Sequence, residues 1–133
     1  MMQRRDFIKL GLATAGLVAL PRANAANSGP DWLHGVIYTE SNLGMWEGKQ
    51  GGHLPQVKVE ADKITLTTDH VMTKQHYIVR HSLVAADGRV LAAKTFYPQD
   101  EAVSIFDRPA ESGDFYATSF CNKHDLWATK FSL

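Results

Sequence analysis

From Gln56 onward the chain alternates between apolar and polar residues in short runs. Val57-Lys58-Val59-Glu60 and Lys63-Ile64-Thr65-Leu66-Thr67 alternate strictly, with Ala61-Asp62 between them. A period of two sends successive side chains to opposite faces of an extended strand, so each run has one face to bury and one to leave in water. Residues 76–84 form a longer run, with Tyr77, Val79, His81 and Leu83 on one face and His76, Ile78 and Arg80 on the other. Asp87-Gly88 interrupts it, because glycine accepts the positive φ of a tight two-residue turn. Residues 89–97 then return as the partner, and 101–106, 114–120 and 126–131 complete the set. About seven short strands with regular turn signals, and no convincing helix of three turns, predict an all-β fold. The expected form is an antiparallel β-sandwich of immunoglobulin-like size, with a closed barrel as the alternative.

The first residues have a different texture. Arg4-Arg5-Asp6-Phe7-Ile8-Lys9 is a twin-arginine stretch, followed by an apolar run from Leu10 to Leu20 and an A-x-A pattern at Ala23-Asn24-Ala25. About eleven apolar residues cannot cross a bilayer, which takes roughly 20. Residues 1–25 are therefore expected to be an export signal of the twin-arginine type, removed near Ala25. That places the mature protein in the periplasm. Residues 26–55, rich in Gly, Asn, Ser and Pro, are expected to be a loop-rich N-terminal segment, and 56–133 the β-sandwich, the two together making one mature domain.

Of the 14 basic and 14 acidic residues, Arg4, Arg5, Lys9, Arg22 and Asp6 fall in the signal, which leaves 10 and 13 and a formal charge of −3. No Lys/Arg run stands out, which argues against nucleic acid or a membrane surface as a partner of the mature form. Cys121 is the single cysteine, so no intrachain disulfide can form. An unpartnered thiol in an oxidising compartment is a liability unless something occupies it.

Six histidines are present, at 34, 53, 70, 76, 81 and 124. His53 lies in Gly-Gly-His-Leu-Pro, His70 and His76 bracket a loop at the entry to a strand, and Cys121 and His124 form a Cys-x-x-His at a strand end. Ligands on loops at one end of a sandwich can converge. Together they would offer four imidazoles and one thiolate. Zinc usually takes four ligands, and calcium and magnesium prefer oxygen. Iron and copper accept imidazole with thiolate. A blue-copper site needs only two histidines and an axial methionine, and no methionine follows His124, which favours iron over a cupredoxin-like copper protein. His81, on the apolar face of its run, is expected to be structural, and His34 has no ligand context. Trp32, Trp46 and Trp127 are expected to be packing anchors, with Trp127 near enough in sequence to shield the sulfur.

Gly52-His53-Leu54-Pro55, His70-x5-His76-Tyr77-Ile78 and Cys121-Asn122-Lys123-His124 with Leu126-Trp127 resemble, in that order, the superoxide reductases: the neelaredoxins and the iron domain of desulfoferrodoxins. The resemblance spans roughly residues 46–133. It implies a seven-stranded immunoglobulin-like fold and one iron per chain, with His53, His70, His76 and His124 equatorial and Cys121 axial. It also implies one-electron reduction of superoxide to hydrogen peroxide, with re-reduction by an external donor, here an unidentified periplasmic one. Relatives form dimers and tetramers, and the exposed end strands are where this chain would pair. The family's Glu-Lys before the first histidine is replaced by Gly51-Gly52. Glu47 as a cap on ferric iron, and Lys49, Lys74 or Lys123 as the charge that steers superoxide, are the expected substitutes. Asp125 stands where the family has glycine, and Asp tolerates positive φ. The missing Glu-Lys pair supports a second reading, an iron-binding or electron-transfer protein with little superoxide reductase activity.

Overall fold

Strict alternation in 63–67 produces a strand with Ile64 and Leu66 fully buried and Lys63, Thr65 and Thr67 partly exposed. The computed structural model describes residues 33–133; the expected signal and cleavage site, the start of the 26–55 segment and Trp32 lie outside the described residues. The strands are β1 (Ile37–Tyr38), β2 (Gln56–Val59), β3 (Lys63–Thr67), β4 (Ile78–Ala85), β5 (Val90–Thr95), β6 (Val103–Asp107), β7 (Asp114–Cys121) and β8 (Asp125–Ser132). They form two sheets, β1-β8-β7-β4-β5 and β2-β3-β6. The fold is an all-β sandwich, and the barrel alternative is set aside because the two sheets do not join into one ladder. Among the described residues the only helical pieces are two short 3₁₀ segments, Gly44–Trp46 and Gln50–Gly52. No helix among them is long and apolar enough to cross a membrane.

Ile64, Leu66, Leu83, Phe106 and Phe115 pack between the sheets. Burying a side chain of this size stabilises the fold by about 1.5–3 kcal/mol. A second cluster, Ile78, Phe96, Ala102 and Cys121 with Met72 against it, contains the candidate sulfur ligand. His81 cross-links the layers: its Nε2 lies 2.8 Å from Thr68 Oγ1 and its Nδ1 2.8 Å from Ser104 Oγ. Thr68 Oγ1 also lies 2.8 Å from Ser119 Oγ. His81 is fully buried and satisfied at both nitrogens, a structural role as its sequence context suggested.

Three expectations need correction. An eighth strand, β1, lies inside the segment expected to be loop, paired in parallel with β8 through Ile37 and Leu126 and through Tyr38 and Trp127. Two residues are too few to show a period. The β4–β5 turn is not two residues long: Gly88 N–H donates to Ala85 O and Ala85 N–H to Arg89 O, each at 2.9 Å, with Gly88 at φ 91°. This closes a three-residue loop with glycine in the left-handed position. The faces of β4 also differ from simple alternation. Ile78 pairs with Cys121 and Arg80 with Phe120, so an irregularity at Val79 resets the phase. Ile78 is therefore buried like His81 and Leu83, while Val79 is only half-buried. A bulge of one residue turns the side chains before it to the opposite face.

Candidate metal centre

Each ligand-type side chain is delivered by a different local device. Gly52 lies in the 3₁₀ turn before His53, and a Cβ there would meet the Asp69 carbonyl at 3.3 Å, whereas Gly51 has open space. The absence of a side chain at Gly52 thus lets the His53 segment approach the residue preceding His70. Thr129 Oγ1 donates to the Pro55 carbonyl at 2.7 Å and ties the exit of this segment to β8. His76 closes a turn with Thr73, their backbone N–H groups and carbonyls bonded reciprocally at 3.0 and 3.2 Å. Cys121 ends β7, opposite Asp125 in register, so Asn122, Lys123 and His124 make the connection to β8. Asp125 takes φ 68°, the left-handed conformation expected of it.

The result is a cluster of five donors, from His53, His70, His76, Cys121 and His124, all within 4.8 Å of one another. His53 Nε2 lies 3.1 Å from His124 Nδ1, His124 Nδ1 3.0 Å from His76 Nε2, and His76 Nε2 3.0 Å from His70 Nε2. Cys121 Sγ stands 3.6 Å from His124 Nδ1 and 3.7 Å from His70 Nε2. Neighbouring nitrogens about 3 Å apart match the spacing of imidazole donors that share one ion at about 2.1 Å, the ordinary metal–imidazole distance. The donor set and its spacing therefore fit a single metal ion. His34 and His81 stay outside this cluster; His34 Nδ1 pairs with Asn42 Nδ2 at 2.8 Å.

The surrounding bonds hold the nitrogens in the state a metal requires. His53 Nδ1 faces the Lys49 carbonyl at 2.7 Å, and His70 Nδ1 faces the Val71 carbonyl. A carbonyl only accepts, so each Nδ1 carries the proton and each Nε2 presents its lone pair to the cluster. Burial pushes the His53 pKa down to about 4, with the charges of the neighbouring imidazoles adding to it and the Lys49 carbonyl opposing. Burial also lowers His70, His76 and His124. Four neutral bases packed together disfavour protonation and leave their lone pairs free.

Sequence reasoning missed several supports. Asn122 Oδ1 accepts from Tyr77 N–H at 2.9 Å and its Nδ2 donates to the Gln75 carbonyl at 3.1 Å, clamping the chain on either side of His76. Its place inside Cys-Asn-Lys-His was the available signal. Trp127, fully buried, lays its ring 5.3 Å from that of His53 and donates Nε1–H to the His124 carbonyl at 2.8 Å. It supports two imidazoles. Trp46 sets its ring edge-on to His124 at 4.7 Å and donates Nε1–H to Asp125 Oδ2 at 2.9 Å. Of the residues expected around the mouth, Glu47, Lys49, Lys74 and Lys123 are all exposed. Behind burial, coulombic repulsion from Lys49 and Lys123 adds to the lowering of the His76 and His124 pKa values. Met72 Sδ accepts from Ile78 N–H at 3.4 Å.

The family model described as desulfoferrodoxin matches residues 44–130. Among solved structures, the superoxide reductase (neelaredoxin) from Ignicoccus hospitalis is 25% identical with a TM-score of 0.63, covering 77% of this chain and 97% of that one. A second structure of that reductase, a point variant, is 27% identical with a TM-score of 0.61, covering 73% and 92%. The superoxide reductase (1Fe-SOR) from Giardia intestinalis, 20% identical with a TM-score of 0.57 and covering 62% and 98%, shares the fold. No curated protein matches the chain.

Proposed function

The chain belongs to the desulfoferrodoxin family, and from that premise we propose that it binds one iron through His53, His70, His76, His124 and Cys121 and reduces superoxide to hydrogen peroxide. The observation that carries this reading is the convergence of four imidazoles and one buried thiol within 4.8 Å. Bound iron supplies one electron from its ferrous state, which with two protons converts superoxide to peroxide, and an external donor restores the electron.

The chain's own residues do the rest. Cys121 is 1% exposed, so its sulfur is sheltered from solvent oxidants and available as a strong electron donor to the metal. The carbonyls of Lys49 and Val71 hold His53 and His70 in the ligating tautomer. The charges of Lys49 and Lys123, which add to the lowering of the His76 and His124 pKa values, are the candidates to attract a small anion. Lys74 is a weaker candidate for that task, and Glu47, exposed on the same loop as Lys49, is the candidate cap for the ferric state.

The mature domain is proposed to work in the periplasm, after twin-arginine export. Arg4-Arg5, the short apolar run and Ala23-x-Ala25 support that placement. A protein exported already folded would carry its metal with it. A thiol bonded to metal before export would be protected there.

A second reading, an iron-binding or electron-transfer protein with little superoxide reductase activity, is favoured by Gly51-Gly52 in place of Glu-Lys. A superoxide pulse on the pre-reduced, iron-quantified mature protein separates the two. One peroxide per superoxide, no oxygen released and growth of the thiolate-to-ferric absorption support the reductase. A slow or absent response with iron bound sinks it and leaves the second reading.

A further inference from the structure

Lys49 is held at both ends by neighbours of the metal centre. Its backbone N–H donates to the Trp46 carbonyl at 3.0 Å, and its own carbonyl accepts from His53 Nδ1 at 2.7 Å. Inside that turn Gly48 N–H donates to Gln50 Oε1 at 2.8 Å. The turn thus depends on Trp46, and Trp46 is itself fastened at its far end. Its indole N–H donates to Asp125 Oδ2 at 2.9 Å, across 79 residues, while its ring stands edge-on to His124.

Asp125 raises a separate question. It sits at φ 68°, where glycine is favoured and Asp is tolerated. It also puts a carboxylate next to a site that has to attract an anion. Glycine would serve the backbone better and leave the field more positive. The indole bond supplies a reason for the acid: the carboxylate is spent on Trp46, and Trp46 carries the turn that bears Lys49.

We infer that Asp125 and Trp46 are positioning residues, a latch that holds the Lys49 turn beside His124 and so sets where the steering charge stands. The latch offsets the loss of the Glu-Lys pair, since a cation from further upstream is brought back to the mouth. The assignment rests on the superoxide reductase reading for its purpose, though not for its geometry.

Three variants separate the latch from the charge. Asp125→Gly removes the acceptor and suits the left-handed backbone, so the domain folds. Asp125→Asn removes the charge but keeps an oxygen for the indole and also tolerates positive φ. Trp46→Phe keeps the charge and the aromatic edge but removes the donor. The first readout is the Trp46 indole N–H resonance of the zinc-substituted protein, which needs no activity. The expected result is a large displacement in Asp125→Gly and a small one in Asp125→Asn. An indole resonance that Asp125→Gly leaves in place overturns the latch.

The second readout is the superoxide rate against ionic strength. Trp46→Phe and Asp125→Gly should each lose part of the salt dependence and slow by about 3- to 10-fold, while Asp125→Asn stays within about twofold of the parent. If Asp125→Gly and Asp125→Asn instead speed up equally, Asp125 acts only through its charge and the proposal fails. If the parent protein does not react with superoxide at all, the functional reading fails, and the indole resonance still decides whether the latch exists.

Discussion

His76 Nε2 and His124 Nδ1 lie 3.0 Å apart although 48 residues separate them in the chain. The approach is produced by pairing of β4 with β7, which sets Ile78 opposite Cys121. Asn122 completes it by bonding to the backbone on both sides of His76. Two imidazoles at that distance without a proton between them repel, and an ion bound between them would replace that repulsion with two bonds. The metal centre is thus expected to lock two hairpins together.

Removing the Asn122 clamp should loosen that lock. Asn122→Ala is expected to lower stability by about 1 kcal/mol and metal affinity by about tenfold. Denaturant melts of the metal-free domain and competition with a chelator measure the two effects. Unchanged metal affinity would show that the β4–β7 ladder alone places His76.

Replacing the sulfur tests the fifth donor. Cys121→Ser is close in volume at a site that is 1% exposed, but a serine hydroxyl does not ionise near neutral pH as a metal-bound thiol does. The variant should keep iron and lose the thiolate-to-ferric absorption. Survival of that absorption would remove Cys121 from the ligand set. For His53→Ala, metal affinity should fall by at least about 100-fold, and the parent's affinity and spectrum would remove His53 likewise.

Among the lysines, Lys49 and Lys123 are expected to matter more than Lys74. Lys49→Ala should slow the reaction with superoxide by about 3- to 10-fold and reduce its salt dependence, whereas Lys74→Ala should change it less than about twofold. Stopped-flow or pulse-radiolysis rates at two ionic strengths provide the comparison. The reverse ranking would move the steering charge to the loop before His76.

Acid should weaken the fold through His81. Burial lowers its pKa to about 4, with Lys94 adding a smaller push, from an ordinary value of 6.5. The folded state resists the proton that the unfolded chain accepts. Its contribution is therefore complete above about pH 6.5, is lost as pH falls to about 4, and changes no further below. The full loss amounts to roughly 3 kcal/mol. Stability of the metal-free domain against pH, compared with His81→Gln, should show a shallower slope in the variant across that window. Parallel slopes would mean that other groups carry the acid sensitivity.

Much of the fold was legible because β burial writes itself into sequence at period two. Ile64 and Leu66 could be assigned to the core, and seven of the eight strands located, from alternation and turn residues alone. Donor chemistry was equally legible: His53, His70, His76, Cys121 and His124 stand in segments whose residue types and spacings suit a metal. What alternation could not reveal was the irregularity at Val79, which buries Ile78, nor the two-residue β1, too short to carry a period.

The sequence by itself therefore determined the class of fold and the five donors, because both depend on local pattern and side-chain chemistry. Tertiary structure alone decided which nitrogen of each histidine faces the centre and that Asn122, Trp46 and Asp125 support it. Those features depend on contacts between residues as much as 79 positions apart. Such contacts arise from strand register and the approach of backbone to backbone, as where Gly52 passes the Asp69 carbonyl, and apart from Asn122's place inside Cys-Asn-Lys-His no local pattern in the chain points to them.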